Sequence, residues 1–199
     1  MTKLVAVASL TFTLALSVAV RPAGAQAMGA KGGLTFSTVA VSPAGELGEV
    51  SSEPGFAAGG FMTFKESARL SFEIAGLLSQ RRIGFGPDIT DAITYVEVPV
   101  LARYPFVNGG NMLVRAVGGV VPALRIAARE TVAGSSYDVK DSYKPVDIAV
   151  AIGAQAEWKK KWVFEARYLF GVSGVYEVTA GGERTRQRGL QALVGYRLR

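Results

Sequence analysis

Four glutamates and four arginines are the residues best placed to do chemistry. They are Glu73, Glu97, Glu157 and Glu165 with Arg103, Arg115, Arg167 and Arg197. Each sits on the sparsely charged side of a segment that otherwise alternates with apolar residues. Two carboxylates sharing one enclosed space can divide into a general acid and a general base, which Glu97, Glu157 and Glu165 could do if they faced one another. Guanidiniums beside them favour a different outcome, charge-assisted pairs that hold both partners in place. The chain has no histidine and no cysteine. That removes Ser–His–Asp and Cys–His nucleophiles and histidine-bearing metal sites. It also counts against the small barrel proteases and acyltransferases of outer membranes, which rely on histidine. Gly84-Phe-Gly86 is too short to cradle a phosphate. Asp138 and Asp141 lack the alternate-position acidic spacing of a calcium loop, so a solvated loop is the simpler reading. The expectation is a non-enzyme with no cofactor and no metal, whose charges form an interior network.

Eight segments must position those residues. They are Gly33 to Val41, Phe56 to Lys65, Ala68 to Gln80, Ala92 to Phe106, Asn111 to Thr131, Asp147 to Trp158, Trp162 to Gly171 and Arg188 to Arg199. The gaps between them run long, short, long, short, long, short, long. Ser42 to Gly55, Arg81 to Asp91, Val132 to Val146 and Val172 to Gln187 are the long ones. Glu66-Ser67, Val107 to Gly110 and Lys159-Lys160-Lys161 are the short ones, and Asn108-Gly109-Gly110 is a hairpin signal. Such a rhythm predicts an all-β fold, an antiparallel up-and-down barrel of eight strands.

Side-chain parity decides which face meets what. In the seventh segment Trp162, Phe164, Ala166, Tyr168 and Phe170 oppose Glu165 and Arg167. In the fourth, Val96, Val98, Val100, Ala102, Tyr104 and Phe106 oppose Glu97 and Arg103. In the sixth, Ile148, Val150, Ile152, Ala154 and Trp158 oppose Asp147, Gln155 and Glu157. The third, fifth and eighth follow suit, with Arg69 and Glu73, Arg115 and Arg125, and Gln191 and Arg197 on their polar faces. A soluble barrel would turn the apolar face inward, and a membrane barrel inverts this. Trp158, Trp162, Tyr104, Tyr168 and Tyr196 lie toward segment ends, where interfacial girdles form. Acids and bases mix evenly on the other face, as a paired interior requires. Gly59, Gly119, Gly153, Gly171 and Gly195 on that face suit a narrow lumen. These features predict a transmembrane barrel.

An export signal is expected at residues 1–27, leaving a barrel domain at 28–199. Lys3 gives a short positive start, Leu4 to Val20 is uncharged, and Ala25-Gln26-Ala27 offers a cleavage site, with Ala23-Gly24-Ala25 second. Loss of Lys3 and Arg21 lowers the formal charge from +6 to +4. That small surplus, with export, argues against a nucleic-acid partner.

The run Ile93-Thr-Tyr-Val-Glu-Val-Pro-Val-Leu-Ala-Arg-Tyr-Pro-Phe106 resembles the signature strand of PorT-like proteins, through Tyr95, Glu97, Pro99, Arg103 and Tyr104. Pro54-Gly-Phe-Ala-Ala-Gly-Gly-Phe61, Arg69-Leu-Ser-Phe-Glu73, Gly33-Leu-Thr-Phe36 and Gly195-Tyr-Arg-Leu198 fall in matching order. The resemblance implies an eight-stranded barrel in the outer membrane of a Gram-negative bacterium, in a family whose founding member is linked to protein secretion. The chain departs from the usual aromatic ending, closing on Leu198-Arg199.

Partners expected on these grounds are outer-membrane lipid and lipopolysaccharide, and other envelope proteins. Lys159-Lys160-Lys161 is either a charged turn or a contact for anionic headgroups. The basic run Glu183 to Arg188 is open between lipid phosphates and water. The N-terminus and short turns should face the periplasm, and the loops around Glu46, Pro87, Tyr137 and Glu183 the exterior. Three function classes remain. A structural, adhesion or secretion-accessory barrel is the first. A narrow or gated passage lined by Arg103 and Arg115 is the second. A soluble periplasmic barrel holding an apolar ligand is the third, and it needs the opposite side-chain orientation.

Overall fold

The computed structural model describes residues 25–42, 50–65, 69–85, 88–140, 143–173 and 184–198. Most of the expected export signal lies outside them, as do Glu46, Glu66-Ser67, Pro87, Asp141 and Glu183. The elements are β1 (Ala25–Ser42), β2 (Val50–Phe64), β3 (Ser71–Phe85), β4 (Ile89–Glu97), β5 (Val100–Gly109), β6 (Met112–Val132), β7 (Ser135–Asp138), β8 (Val146–Trp158), β9 (Trp162–Gly171) and β10 (Arg184–Arg197).

All pairings are antiparallel, and they return to their start. β1 pairs β2, and β2 pairs β3. β3 pairs both β4 and β5, and these two both pair β6. β6 then pairs β8, β8 pairs β9, β9 pairs β10, and β10 pairs β1. β4 and β5 are one wall strand interrupted at Val98-Pro99, where Pro99 has no N–H to give. The ladder is sewn across that gap by Val98 N–H to Pro122 O (2.9 Å) and Ala75 N–H to Pro99 O (3.0 Å). Among the described residues the wall therefore has eight strands, as the segment count predicts, each paired on both sides.

Several boundaries differ from the sequence expectation. β1 begins at Ala25 rather than Gly33, and β3 runs on through Arg81 to Phe85. β2 begins at Val50 and carries Pro54 inside it, with the register shifting between Glu53 and Phe56. A proline at such an irregularity costs no ladder bond, so it did not end the strand. The loop expected at Arg81 to Asp91 shrinks to the residues between Phe85 and Ile89. The basic run beyond Glu183 is largely strand, since β10 starts at Arg184. Within the expected loop Val132 to Val146, β7 folds back on the end of β6 through Ala133 and Gly134, both at positive φ. The short turn after β5 is Gly110-Asn111, with Val107 and Asn108 still paired to β6.

The alternation points outward, as parity predicts for a membrane barrel. Val96, Val98, Val100, Tyr104, Phe106, Ile148, Val150, Ile152, Phe164, Phe170, Leu190 and Val194 are exposed. Glu73, Glu97, Arg103, Gln155, Glu165, Arg167 and Gln191 are buried between the strands. Arg69 is the exception on the polar faces, exposed just before β3. Trp158, Trp162 and Tyr196 gather at the short-turn end, with Trp162 edge-on to Tyr196 at 5.2 Å. Among the described residues no helix is long and apolar enough to cross a membrane.

The five interior glycines have a more specific cause than lumen width. A Cβ at Gly59 would fall 1.9 Å from Gly76 O, and one at Gly119 would fall 2.0 Å from Val100 O. At Gly59, Gly119, Gly153 and Gly171 the nearest contact is with the backbone of an adjacent strand, and at Gly195 it is with Lys31 Cβ and Ala30 O. These glycines let a small barrel curl, because the strands press together on their concave side.

Ile152 lies midway along β8 on the outer face and is 59% exposed. Ile152→Lys should lower the unfolding free energy by about 2–4 kcal/mol in urea titrations of the vesicle-inserted protein. An unchanged midpoint would contradict an outward, lipid-facing side.

Candidate functional site

The interior polar residues converge because alternate positions of every strand face one narrow space. At mid-height Lys31 of β1 lies between two carboxylates, Glu73 of β3 at 2.5 Å and Glu165 of β9 at 3.0 Å. Gln155 of β8 joins the same pair, donating through Nε2 to each at 3.0 Å. Arg103 of β5 donates to Gln155 Oε1 at 3.2 Å and to Glu73 at 3.5 Å. Arg167 approaches Glu165 Oε1 at 3.0 Å, close enough for an ion pair but out of line for a hydrogen bond. Its Nε donates instead to Gln191 Oε1 at 2.7 Å.

Gln191 carries the network upward, donating to Glu97 Oε2 at 3.1 Å. Glu97 Oε1 accepts two donors of Arg81, at 2.7 and 3.2 Å. Arg81 also donates to Asp147 at 2.9 Å and to Gln187, and its guanidinium lies 4.6 Å over the Tyr95 ring. Lys31, Arg81, Arg103 and Arg167 are thus matched by Glu73, Glu97, Asp147 and Glu165. Charges removed from water are tolerated only when paired and hydrogen-bonded in this way. Apolar layers fill the rest. One is Ala57, Phe61, Ala75, Leu77, Val163 and Leu193, and another is Leu101, Val121, Ala149, Ala151 and Leu169. Beside Arg81 and Gln187 a cavity of about 10 Å³ remains, room for roughly one water.

The two ends differ. At the loop end Tyr143 is buried on Ile93, Tyr95, Ala123 and Ala128, and its hydroxyl donates to Asp91. Arg125 donates to the carbonyls of Lys140 and Lys144. Tyr143, Lys140 and Lys144 are thereby held against β4 and β6. At the short-turn end Glu157 Oε2 accepts from Arg115 at 2.8 Å and pairs with Arg197 at 2.7 Å. An open bowl of about 620 Å³ lies below them.

Every expected network residue faces inward, but the pairing differs in part. Glu165 with Arg167, and Glu157 with Arg115 and Arg197, meet as charge alternation anticipates. Glu97 pairs with Arg81 rather than with Arg103, Arg115, Arg167 or Arg197, and Glu73 pairs first with Lys31. Sequence reading missed Lys31 and Arg81 because it placed Lys31 ahead of the first strand and Arg81 in a loop. Extending the same odd-numbered parity by one step in β1 and β3 would have found both. Among the described residues no group of three or more acidic, histidine or cysteine side chains could hold a metal ion. Asp138 accepts from the backbone N–H of Lys140 at 2.9 Å, a local turn bond.

Residues 23–177 match the family described as "Outer membrane protein beta-barrel domain". No curated protein sequence matches the chain. Among solved structures, Neisserial surface protein A is similar at 14% identity, covering 85% of this chain and 96% of that one, with a TM-score of 0.50. Ail, the attachment invasion locus protein of Yersinia pestis, aligns at 14% identity over 86% of this chain and 98% of its own, with a TM-score of 0.46. OprG of Pseudomonas aeruginosa aligns at 13% identity over 88% and 97%, with a TM-score of 0.45.

Breaking the network should be costly, since an orphaned buried charge has no water to return to. Glu97→Gln combined with Glu165→Gln should destabilise the barrel by roughly 3–5 kcal/mol, read as a lower thermal midpoint by circular dichroism in detergent. An unchanged midpoint would mean the network holds nothing together.

Proposed function

Because this chain belongs to the outer membrane protein beta-barrel domain family, we propose that it is a closed, non-conducting barrel that acts through its loops, rims and outer wall. The observation that carries this reading is the filled lumen. Charge-matched side chains run from Lys31 to Asp147, and Tyr143 is buried against Ile93, Tyr95, Ala123 and Ala128 at the loop end. Arg103, a candidate lining residue for a passage, is 2% exposed and held by Gln155 and Glu73, which favours a plug over a pore. The role is structural, adhesive or secretion-accessory, and non-enzymatic. Glu97 and Glu165, the pair that acid–base chemistry would use, are each engaged by cations and amides.

The finer placement is among PorT-like barrels. Two residues of the resemblance, Tyr95 and Glu97, both hold Arg81, which gives that run a structural meaning. Residues 1–27 act as a cleaved export signal. The network starts at Lys31, so cleavage after Ala25 or Ala27 leaves it intact. The short turns face the periplasm and the β7 hairpin the exterior. Arg186 and Arg188 are exposed on the face of β10 that also carries Leu190, so they are placed to meet lipopolysaccharide phosphates at the outer rim.

Purified protein in a planar lipid bilayer should give no discrete conductance steps under applied voltage. Stable single-channel openings would contradict a plugged lumen and make the gated passage the correct reading.

A further inference from the structure

Basic side chains gather at the short-turn mouth. There one carboxylate oxygen, Glu157 Oε2, serves both Arg115 at 2.8 Å and Arg197 at 2.7 Å. Lys159 and Lys160 add two ammonium groups. All five line the open bowl of about 620 Å³ between the β5–β6 and β8–β9 turns. Among the described residues that line it, four are basic and one is acidic.

The bowl is held in shape by its own backbone. Lys159 N–H donates to Asn111 O at 2.7 Å, and Arg197 N–H donates to Lys161 O at 2.8 Å. Lys159 and Lys160 sit at φ of 51° and 57°. Hairpins usually place Asn or Gly at such positions, and this one carries two lysines. The rim of the bowl also reaches the lipid face. Lys159 Nζ lies 4.6 Å above the ring of Trp158, which is exposed on the outer wall beside Trp162 and Tyr196. Exposed tryptophan and tyrosine at a strand end mark headgroup depth. The anion abundant at that depth is a phosphodiester, and guanidinium with ammonium is the donor set that suits its oxygens.

We propose that this mouth binds the phosphate headgroup of an anionic phospholipid, seated between Lys159, Lys160 and the Arg115–Arg197 pair. The proposal rests on the membrane-barrel reading. It is tested by native mass spectrometry of the full protein from micelles holding equimolar phosphatidylglycerol and phosphatidylcholine. The wild type should retain phosphatidylglycerol preferentially. Lys159→Gln with Lys160→Gln should reduce that preference by roughly tenfold while β-rich circular dichroism is unchanged. If the double variant does not fold, Lys160→Gln alone carries the test with the same outcomes. Equal retention of both lipids, or an intact preference in the folded variant, overturns the proposal. Inorganic phosphate that shifts the Lys160 amide resonance, with no lipid preference, also overturns it and assigns the bowl to soluble anions. A wild type that stays in solution without detergent fails one level lower, at the membrane reading itself.

Discussion

Lipid offers no hydrogen bonds, so every backbone N–H and C=O that crosses it must find a partner within the protein. The remaining features of this barrel follow from that constraint. Eight strands meet it only by closing, and the pairing of β10 with β1 closes them. Closure of so few strands forces tight curl, and tight curl forces glycine wherever a Cβ would strike the next strand, as at Gly59 and Gly119. Alternation then has one permitted sense, with Val, Ile, Leu and Phe outward and the charges in.

A ring of this size leaves an interior that side chains fill, and the filling has to be neutral. The central network meets that demand with four cations and four carboxylates, bridged by Gln155 and Gln191 where charges alone would leave gaps. Its members are spread over β1, β3, β4, β5, β8, β9 and β10, so a register slip of one residue in any of these strands would turn its members out into lipid. The network thus fixes alignment around the ring, and the apolar layers between its members supply burial.

Much of this was legible in the sequence. Strand count, antiparallel order and the direction of the faces came from parity in segments such as Trp162 to Phe170, where every second residue is apolar and Glu165 and Arg167 lie between. Wall position was equally clear for Glu73, Glu97, Glu157 and Glu165. Strand ends were not, because the sequence reading starts the first strand at Gly33 and the second only after the breaker Pro54, and stops the third at Gln80. In a closed barrel a proline is absorbed at a bulge and a glycine relieves crowding, so these residues bend strands rather than end them. That misreading hid Lys31 and Arg81, the cations at the two hubs of the network. Tyr143 was also hidden, because a loop residue that folds inward follows no periodicity.

The central claim is a closed ring with lipid outside and paired charges within. Electrophoretic mobility of the detergent-solubilised protein, boiled and unboiled, tests it most directly. A heat-dependent shift, accompanied by β-rich circular dichroism before boiling, is the predicted result. A protein that remains soluble without detergent and migrates identically before and after boiling would contradict it, and would mean that the apolar face points inward.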